Sequence, residues 1–377
     1  FSSPDLGVVE RNGSSHNNII LELTPTWCSV FKDPNPDATP DELFKMTAWV
    51  ANKGIVLYTS PDLIHWRRSE TLMLPLVCGG GCETFWDDQY GVYRNFLKRD
   101  PNMEGLGCLP SGGRVAVGFE THEVFKTWPF NPVTPPVFTG WALPSVSCEG
   151  PISFPVTGLG EVYRTRAIKY LWAPDTYLAF IWRFDPIQVR RTELATSRDG
   201  ENWTSLGHLG YYMGSDGSVG SQDILERKAQ YGLVRRGNEI WQYTEDDTGP
   251  HGSGQRRCFR TRQRLDGFVS LDAGSETGRL RTLPFVFEGQ HLELNLISNG
   301  EVRVALLDEG GGPIPGFTLT DCDPIQTDEV SHRVTWNGNS NLRNLEGSTV
   351  RLEIEMTQAK LFAFEFVDDA KSLLLIR

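Results

Sequence analysis

Apolar and polar residues alternate along this chain far more often than they recur at helical spacing, and a period of two predicts strands. Alternating or aromatic-rich runs occupy 44–51 (FKMTAWVA), 54–59, 91–97 (GVYRNFL), 114–119, 161–170, 176–184 (TYLAFIWRF), 193–197 and 239–244 (EIWQYT). The 38 glycines and 23 prolines are spread evenly, so few stretches longer than about ten residues can keep a 3.6-residue period. The pattern therefore predicts an all-β chain.

The strands fall into a repeated module: a short inner strand, a turn, an aromatic-rich second strand, then a third strand ending in Ser or Thr, a turn and a Trp. One copy spans 29–66, a second 82–128 and a third 161–203, with a fourth beginning at DILERKAQYGLVRRG. The third strands end alike, in LYTSPDLIHW (Ser60, Asp62, Trp66) and LATSRDGENW (Ser197, Asp199, Trp203). Modules of about 45 to 60 residues, each a small antiparallel sheet, are the signature of a β-propeller. On that fold the Asp closes an Asx-type turn and the Trp covers the gap between blades. Beyond about Asp266 the turn motif stops, while short alternating strands continue in the pattern of a β-sandwich. The expected division is a β-propeller catalytic domain over 1–265 and a C-terminal β-sandwich over 266–377.

Composition narrows the partners. Among 377 residues there are 36 basic and 48 acidic ones, a net charge of −12 without a basic stripe, so nucleic acid is excluded as an expected partner. No window of about 18 apolar residues exists to span a membrane, and FSSPDLG lacks the charged and apolar regions of a signal peptide. A neutral polar ligand fits better. The 11 tryptophans are numerous, and indoles stack on the apolar faces of sugar rings. The seven cysteines are dispersed; Cys78 and Cys82 have no second Cys or His pair at metal-binding spacing, and the odd number leaves no complete disulfide framework.

With these motifs in place, LFKMTAWVANKGIVLYTSPDLIHW resembles a blade of the five-bladed β-propeller glycoside hydrolases, the superfamily of families 32, 43, 68 and 117. Together with RLDGFVSLDAG, LELN, VRLEIEM and LFAFEF it is similar to bacterial glycosyl hydrolase-like proteins, many from planctomycetes, that join such a propeller to a C-terminal β-sandwich. The resemblance implies five blades, of which only four modules are countable here. The first blade is then incomplete in this chain, and an upstream segment or partner subunit would complete it. It also implies a carbohydrate substrate and a secreted or periplasmic setting, with the signal segment outside this chain. No cofactor is required; a Ca²⁺ ion in the propeller channel is compatible with several loop carboxylates, although no EF-hand-like spacing supports it.

Glycoside hydrolysis needs two carboxyl groups across the scissile bond, and a propeller offers them where its inner strands begin. Glu83 follows the glycine run of GGGCETFWDD, Glu161 opens EVYRTRAIKY, and Asp223 stands in GSVGSQDILER, at equivalent positions of successive modules. Glu149 in CEGPISF resembles the Glu-Gly-Pro around the family 43 general acid, one loop too early. Asp33 in FKDPNPD resembles that family's Asp-Pro base, but it falls at the far end of its inner strand, where Asp87 also falls, as a turn residue would. The Arg-Asp-Pro of KRDPN follows a middle strand and is discounted. His251, on the polar loop TEDDTGPHGSG, titrates in a useful range and resembles the candidate acid of family 117. Arg11, Asn17 and Asn18 are expected either to bond sugar hydroxyls or to cap turns, and Trp86 to contact substrate. The leading expectation is a glycoside hydrolase or transglycosidase. Its rivals are a non-catalytic carbohydrate-binding propeller and a polysaccharide lyase, in which His251 would act beside arginines that neutralise a uronate.

Overall fold

A computed structural model describes residues 5–22, 26–50, 53–75, 82–99, 115–128, 142–143, 161–173, 175–184, 190–206, 211–213, 226–249 and 255–369. Among them the chain is all-β, with short 3₁₀ turns at Pro40–Glu42 and Arg343–Leu345 and no α-helix. By its contacts it divides into two compact units, Phe1–Gly232 with Gln242–Arg260, and Leu233–Trp241 with Thr261–Arg377.

The first unit repeats an antiparallel meander. Strands β1 (Thr26–Lys32), β2 (Phe44–Val50), β3 (Gly54–Ser60) and β4 (Arg67–Leu74) form one four-stranded sheet in sequence order. Strands β5 (Glu83–Asp87), β6 (Val92–Arg99), β7 (Val115–Thr121) and β8 (Ala142–Leu143) form the next. In the third meander the inner strand is split into β9 (Glu161–Arg164) and β10 (Ala167–Lys169), both pairing with β11 (Tyr177–Phe184), and β12 (Arg190–Ser197) and β13 (Trp203–Ser205) follow. A further inner strand, β14 (Glu226–Ala229), pairs with the later part of β16. Strand β15 (Val234–Arg236) falls in the second unit, while β16 (Glu239–Asp247) and β17 (Arg256–Arg264) each have residues in both.

The apolar cores of this unit lie between successive sheets. Ile55, Leu57, Met73 and Leu74 of the first pack with Tyr93, Leu97, Phe119 and Trp128 around the second. Phe85 and Phe96 of the second pack with Val162, Tyr177, Ile181 and Trp203 of the third. Meanders stacked face to face in chain order are the blades of a β-propeller.

The repeated Ser-x-Asp-x-x-x-Trp motif closes the outer turn as its chemistry requires. Asp62 Oδ1 accepts the N–H groups of Ile64 and His65 at 2.9 and 2.8 Å, and Trp66 Nε1 donates to the Leu63 carbonyl at 2.9 Å. The second copy has Asp199 Oδ1 accepting from Glu201 and Asn202 at 2.8 and 2.7 Å, and Trp203 Nε1 donating to Gly200 at 3.0 Å. The residue after each Asp is left-handed, Leu63 at φ 66° and Gly200 at φ 75°. Trp203 then reaches the preceding blade, where its ring meets Phe96 edge-on at 5.9 Å. Bonding to the His65 N–H and side chain holds Asp62 well below the usual carboxylate range. For Asp199 burial pushes upward, but the side chain and N–H of Asn202 prevail and leave it at about 2.

A second repeated device joins the far ends of the inner strands. Asp33, the residue after β1, receives Lys45 Nζ of β2 at 2.5 Å and the hydroxyl of Tyr93, on the next blade, at 2.6 Å. Asp87, at the end of β5, receives Arg94 Nε of β6 at 2.7 Å and the hydroxyl of Tyr177, again on the next blade, at 2.8 Å. Two residues on, Asn35 and Gln89 both donate their backbone N–H to the Asp and bring a side-chain amide to the same tyrosine. Both acids are buried.

In the second unit, β18 (Leu271–Ala273), β19 (Gly278–Arg281), β20 (Phe285–Val286), β21 (His291–Ser298), β22 (Val302–Asp308), β23 (Asp328–Arg333), β24 (Thr349–Met356) and β25 (Ala359–Val367) form two four-stranded sheets. One runs β18-β25-β21-β23; the other centres on β24, flanked by β19, β20 and β22. Alternate residues of both, including Leu292, Leu294, Leu296, Val304, Leu306, Leu352 and Ile354, share one core with Trp336, as two facing sheets with period-two patterning must.

Candidate functional site

Glu83 opens β5 and is 1% exposed. Its strand start is fixed by hydroxyls: Ser29 and Thr47 of the first blade donate to the Cys82 carbonyl at 2.6 and 2.7 Å, and Thr84 N–H donates to Ser29 Oγ at 3.1 Å. Tyr231, whose phenol burial pushes upward in pKa, donates to the Thr84 carbonyl at 2.8 Å. The Glu83 side chain is thus aimed by neighbours on two other blades.

What it meets is cationic. Thr165 Oγ1 donates to one carboxylate oxygen at 3.2 Å, and Arg166 Nη1 to the other at 3.0 Å. Arg166 Nη2 continues to Gln230 Oε1 at 3.0 Å. Arg164 Nη1 stands 3.8 Å from Glu83, an ion pair without a hydrogen bond. The Arg164 guanidinium lies 3.5 Å from the ring centroid of Trp27 and 5.3 Å from that of Trp182, while Arg166 lies 4.7 Å from Trp182.

Two backbone irregularities produce this convergence. A bulge in β9 sets Arg164 opposite Trp182 and Val162 opposite Arg183, and the ladder then breaks at Thr165 and Arg166, with Arg166 at φ 46°. Another register shift, between Thr26 and Ser29 of β1, accompanies Trp27 at φ 59°. Left-handed φ at large non-glycine residues costs of order 1–3 kcal/mol each and collects at functional sites. Here both such residues touch the same arginine and carboxylate cluster.

The charged belt continues from Trp182, whose Nε1 donates to the Ala229 carbonyl at 2.7 Å. Lys228 Nζ lies 5.9 Å from that ring and pairs with Glu245 and Asp247 at 2.7 and 2.6 Å. Asp247 also meets Arg190 at 3.3 Å. Adjacent Asp246, held by Arg227 at 3.0 Å, is pushed up in pKa by burial, against the pull of Arg227. Among the described residues no group of three or more His, Cys, Asp or Glu side chains could hold a metal. Glu83, Asp246 and Asp247 are engaged by Arg or Lys, which does not suit Ca²⁺ and its roughly six to eight oxygens.

The expected site residues separate. Glu83 and Glu161 are the first residues of β5 and β9; Glu161, described by its backbone, pairs with Phe184. Asp223, His251 and Glu149 lie outside the described residues. Asp33 is at the opposite end of its inner strand, bound into the junction with the second blade, and shares no partner with Glu83 among the described residues. Trp86 is half-buried and packs edge-on to Tyr93 at 4.8 Å, against the core between the first two blades. Arg11 is exposed and forms a hairpin bridge to Ser14 around Asn12 and Gly13, at φ 54° and 77°. Asn17 caps that hairpin, donating to the carbonyls of Val9 and Ser14 at 2.8 and 3.2 Å, with exposed Asn18 beside it. Arg164, Arg166, Trp27 and Trp182 were absent from the sequence-based expectations. The signal available was RTR at 164–166, two arginines on an inner strand of an acidic chain.

No family model and no curated protein matches the chain. Among solved structures it is similar to a glycoside hydrolase family 43 arabinoxylan arabinofuranohydrolase from Bacillus subtilis, at 12% identity over 90% of this chain and 78% of that one, TM-score 0.36. An α-L-arabinanase from Cellvibrio cellulosa matches at 11% identity over 64% and 71% of the two chains, TM-score 0.37. A xylan β-1,4-xylosidase from Bacillus halodurans matches at 12% identity over 88% and 98%, TM-score 0.30.

Proposed function

We propose that this protein is a carbohydrate-active enzyme that hydrolyses, or transfers across, a glycosidic bond, with Glu83 as one of its reacting carboxylates. The observation that carries this reading is one cluster at an inner-strand start, in which left-handed Arg166 bonds the buried Glu83 carboxylate and left-handed Trp27 stacks on Arg164, 3.8 Å from that carboxylate. Both oxygens of Glu83 receive donors, so it is presented as an acceptor, in the role of base or nucleophile. The complementary acid is sought among Glu161, Asp223, Glu149 and His251. Asp33 is left out, since its carboxylate serves Lys45, Tyr93 and Asn35.

The test is release of reducing ends from a panel of oligosaccharides by the wild type and by Glu83→Gln, with circular dichroism as the check on folding. Wild-type protein should turn over at least one glycan, and Glu83→Gln should lose at least about a hundredfold, the contribution of a positioned acid or base. Equal turnover by both would remove Glu83 from the chemistry. A second reading, a non-catalytic carbohydrate-binding propeller, draws on the same Glu83–Arg166 ion pair acting purely as a structural tie. It is sustained by saturable glycan binding with no turnover of any member of the panel.

A further inference from the structure

We propose that Arg164 is an anion-binding residue, and that the sugar this site takes carries a carboxylate or sulfate ester whose oxygens complete the hydrogen bonds its guanidinium lacks. The proposal rests on the carbohydrate reading above and adds the charge of the ligand to it.

The Arg164 side chain is 1% exposed, and its Nη1 and Nη2 groups find no acceptor among the described residues. Buried donors are ordinarily satisfied, and a buried charged donor without an acceptor is costly. The nearest carboxylate is already committed. Glu83 holds its hydrogen bonds with Thr165 and Arg166, which leaves Arg164 the 3.8 Å contact. Asp247 is likewise taken up, by Lys228 and Arg190. Among the described residues, a chain of net charge −12 has therefore buried a cation beside a second cation, Arg166, without giving it a carboxylate of its own. Burial and then the Arg166 charge draw the Arg164 pKa down to about 9, the direction expected of a poorly compensated guanidinium. At neutral pH it remains a cation.

Geometry defines what can bind. Trp27 covers a face of the guanidinium at 3.5 Å from the ring centroid, which fixes its plane and leaves the nitrogen edge for hydrogen bonding. That planar fork matches two oxygens of one carboxylate or sulfate, a match a lysine ammonium cannot make. A hydroxyl of a neutral sugar could accept one such bond without offsetting the charge. The left-handed backbone of Trp27 holds the ring in place, so the strain at that residue acquires a purpose in orienting Arg164.

The experiment measures binding by thermal shift and calorimetry on the full chain, at constant ionic strength set with NaCl. The probes are methyl glucuronoside, methyl glucoside and inorganic sulfate. Wild-type protein should respond saturably to the glucuronoside, to sulfate or to both, and not to the glucoside. A glucuronoside-only response assigns a uronate and a sulfate-only response a sulfated sugar. Arg164→Met should fold and weaken the anion about tenfold or more, the ratio expected from one lost charge-assisted hydrogen bond. Arg164→Lys, which keeps the charge and loses the fork, should weaken it less; it also serves as the test should the Met variant fail to fold. Equal responses to glucoside and glucuronoside, or undiminished anion binding by the Arg164 variants, would overturn the proposal. Turnover of neutral glycans without an anion response sinks this inference alone, whereas anion binding without turnover of any glycan sinks the hydrolase reading alone.

Discussion

Removing one hydroxyl from the junction between the second and third blades should weaken the first unit measurably. In Tyr177→Phe the ring keeps its place, since Tyr177 is fully buried and only its oxygen is deleted. The lost group donates to Asp87 at 2.8 Å, and a hydrogen bond to a charged partner contributes about 1.5–3 kcal/mol. Asp87 keeps Arg94 at 2.7 Å and Lys169 at 3.2 Å, so its charge is not abandoned and the cost belongs toward the lower end, about 2 kcal/mol. Tyr93→Phe does the same at the first junction, where Asp33 keeps Lys45 and the Asn35 N–H; its cost is also about 2 kcal/mol. Burial, and then bonding to the acid, push both phenols above their ordinary pKa, so both remain donors throughout the neutral range. Urea unfolding at pH 7 followed by tryptophan fluorescence reads the change as a shift in midpoint at constant slope. Because the junctions involve different residues, the double variant should lose about 4 kcal/mol, a large fraction of the 5–15 typical of a domain. Single losses below about 0.5 kcal/mol, the scale of an ordinary surface change, would refute the tyrosine–carboxylate junction as a stabilising contact.

Other consequences are more local. Asp199→Ala removes the acceptor of two turn N–H groups and should cost about 1 kcal/mol by urea unfolding, as for a lost cap. Because the folded Asp199 pKa of about 2 lies below its ordinary value of 3.8, the turn's contribution is complete above about pH 4 and lost as pH falls toward 2; the variant should lack that part of the acid destabilisation. In the second unit, Gly300→Ala would drive a Cβ into the Thr357 carbonyl, so a loss of about 1–3 kcal/mol is expected in the thermal transition of that unit.

The strand plan was legible because period-two patterning leaves little choice. The run read at 54–59 is β3 at Gly54–Ser60, that at 176–184 is β11 at Tyr177–Phe184, and that at 239–244 opens β16 at Glu239–Asp247. The run at 161–170 shows where this reasoning stops. EVYRTRAIKY reads as a single strand run, yet it is divided into β9 and β10. The bulge and the φ of 46° at Arg166 are imposed by packing against β11 and Glu83, and no glycine or asparagine marks them. Trp27 escaped notice for the same reason, since a bulky residue in the left-handed region has no local signature. Glu83 stood out through the glycines before it, whereas its arginine partners come from another blade, and only the tertiary fold brings them to it.

The Asp–Tyr junction has a direction. Each junction takes its acid from the earlier blade and its tyrosine from the later one, so Asp33 reaches Tyr93 and Asp87 reaches Tyr177. Both halves are alike in chemistry, down to the amide two residues after the acid. Excision of the second blade would therefore leave an acid on one cut face and a matching phenol on the other. Such a chain repeats one polar coupling at two successive junctions, while the apolar residues packed around it differ from one junction to the next. In the third blade the inner strand ends at Lys169, which pairs backward with Asp87 in place of offering an acid forward. The coupling changes there, and a transplant across that step would require a matched substitution.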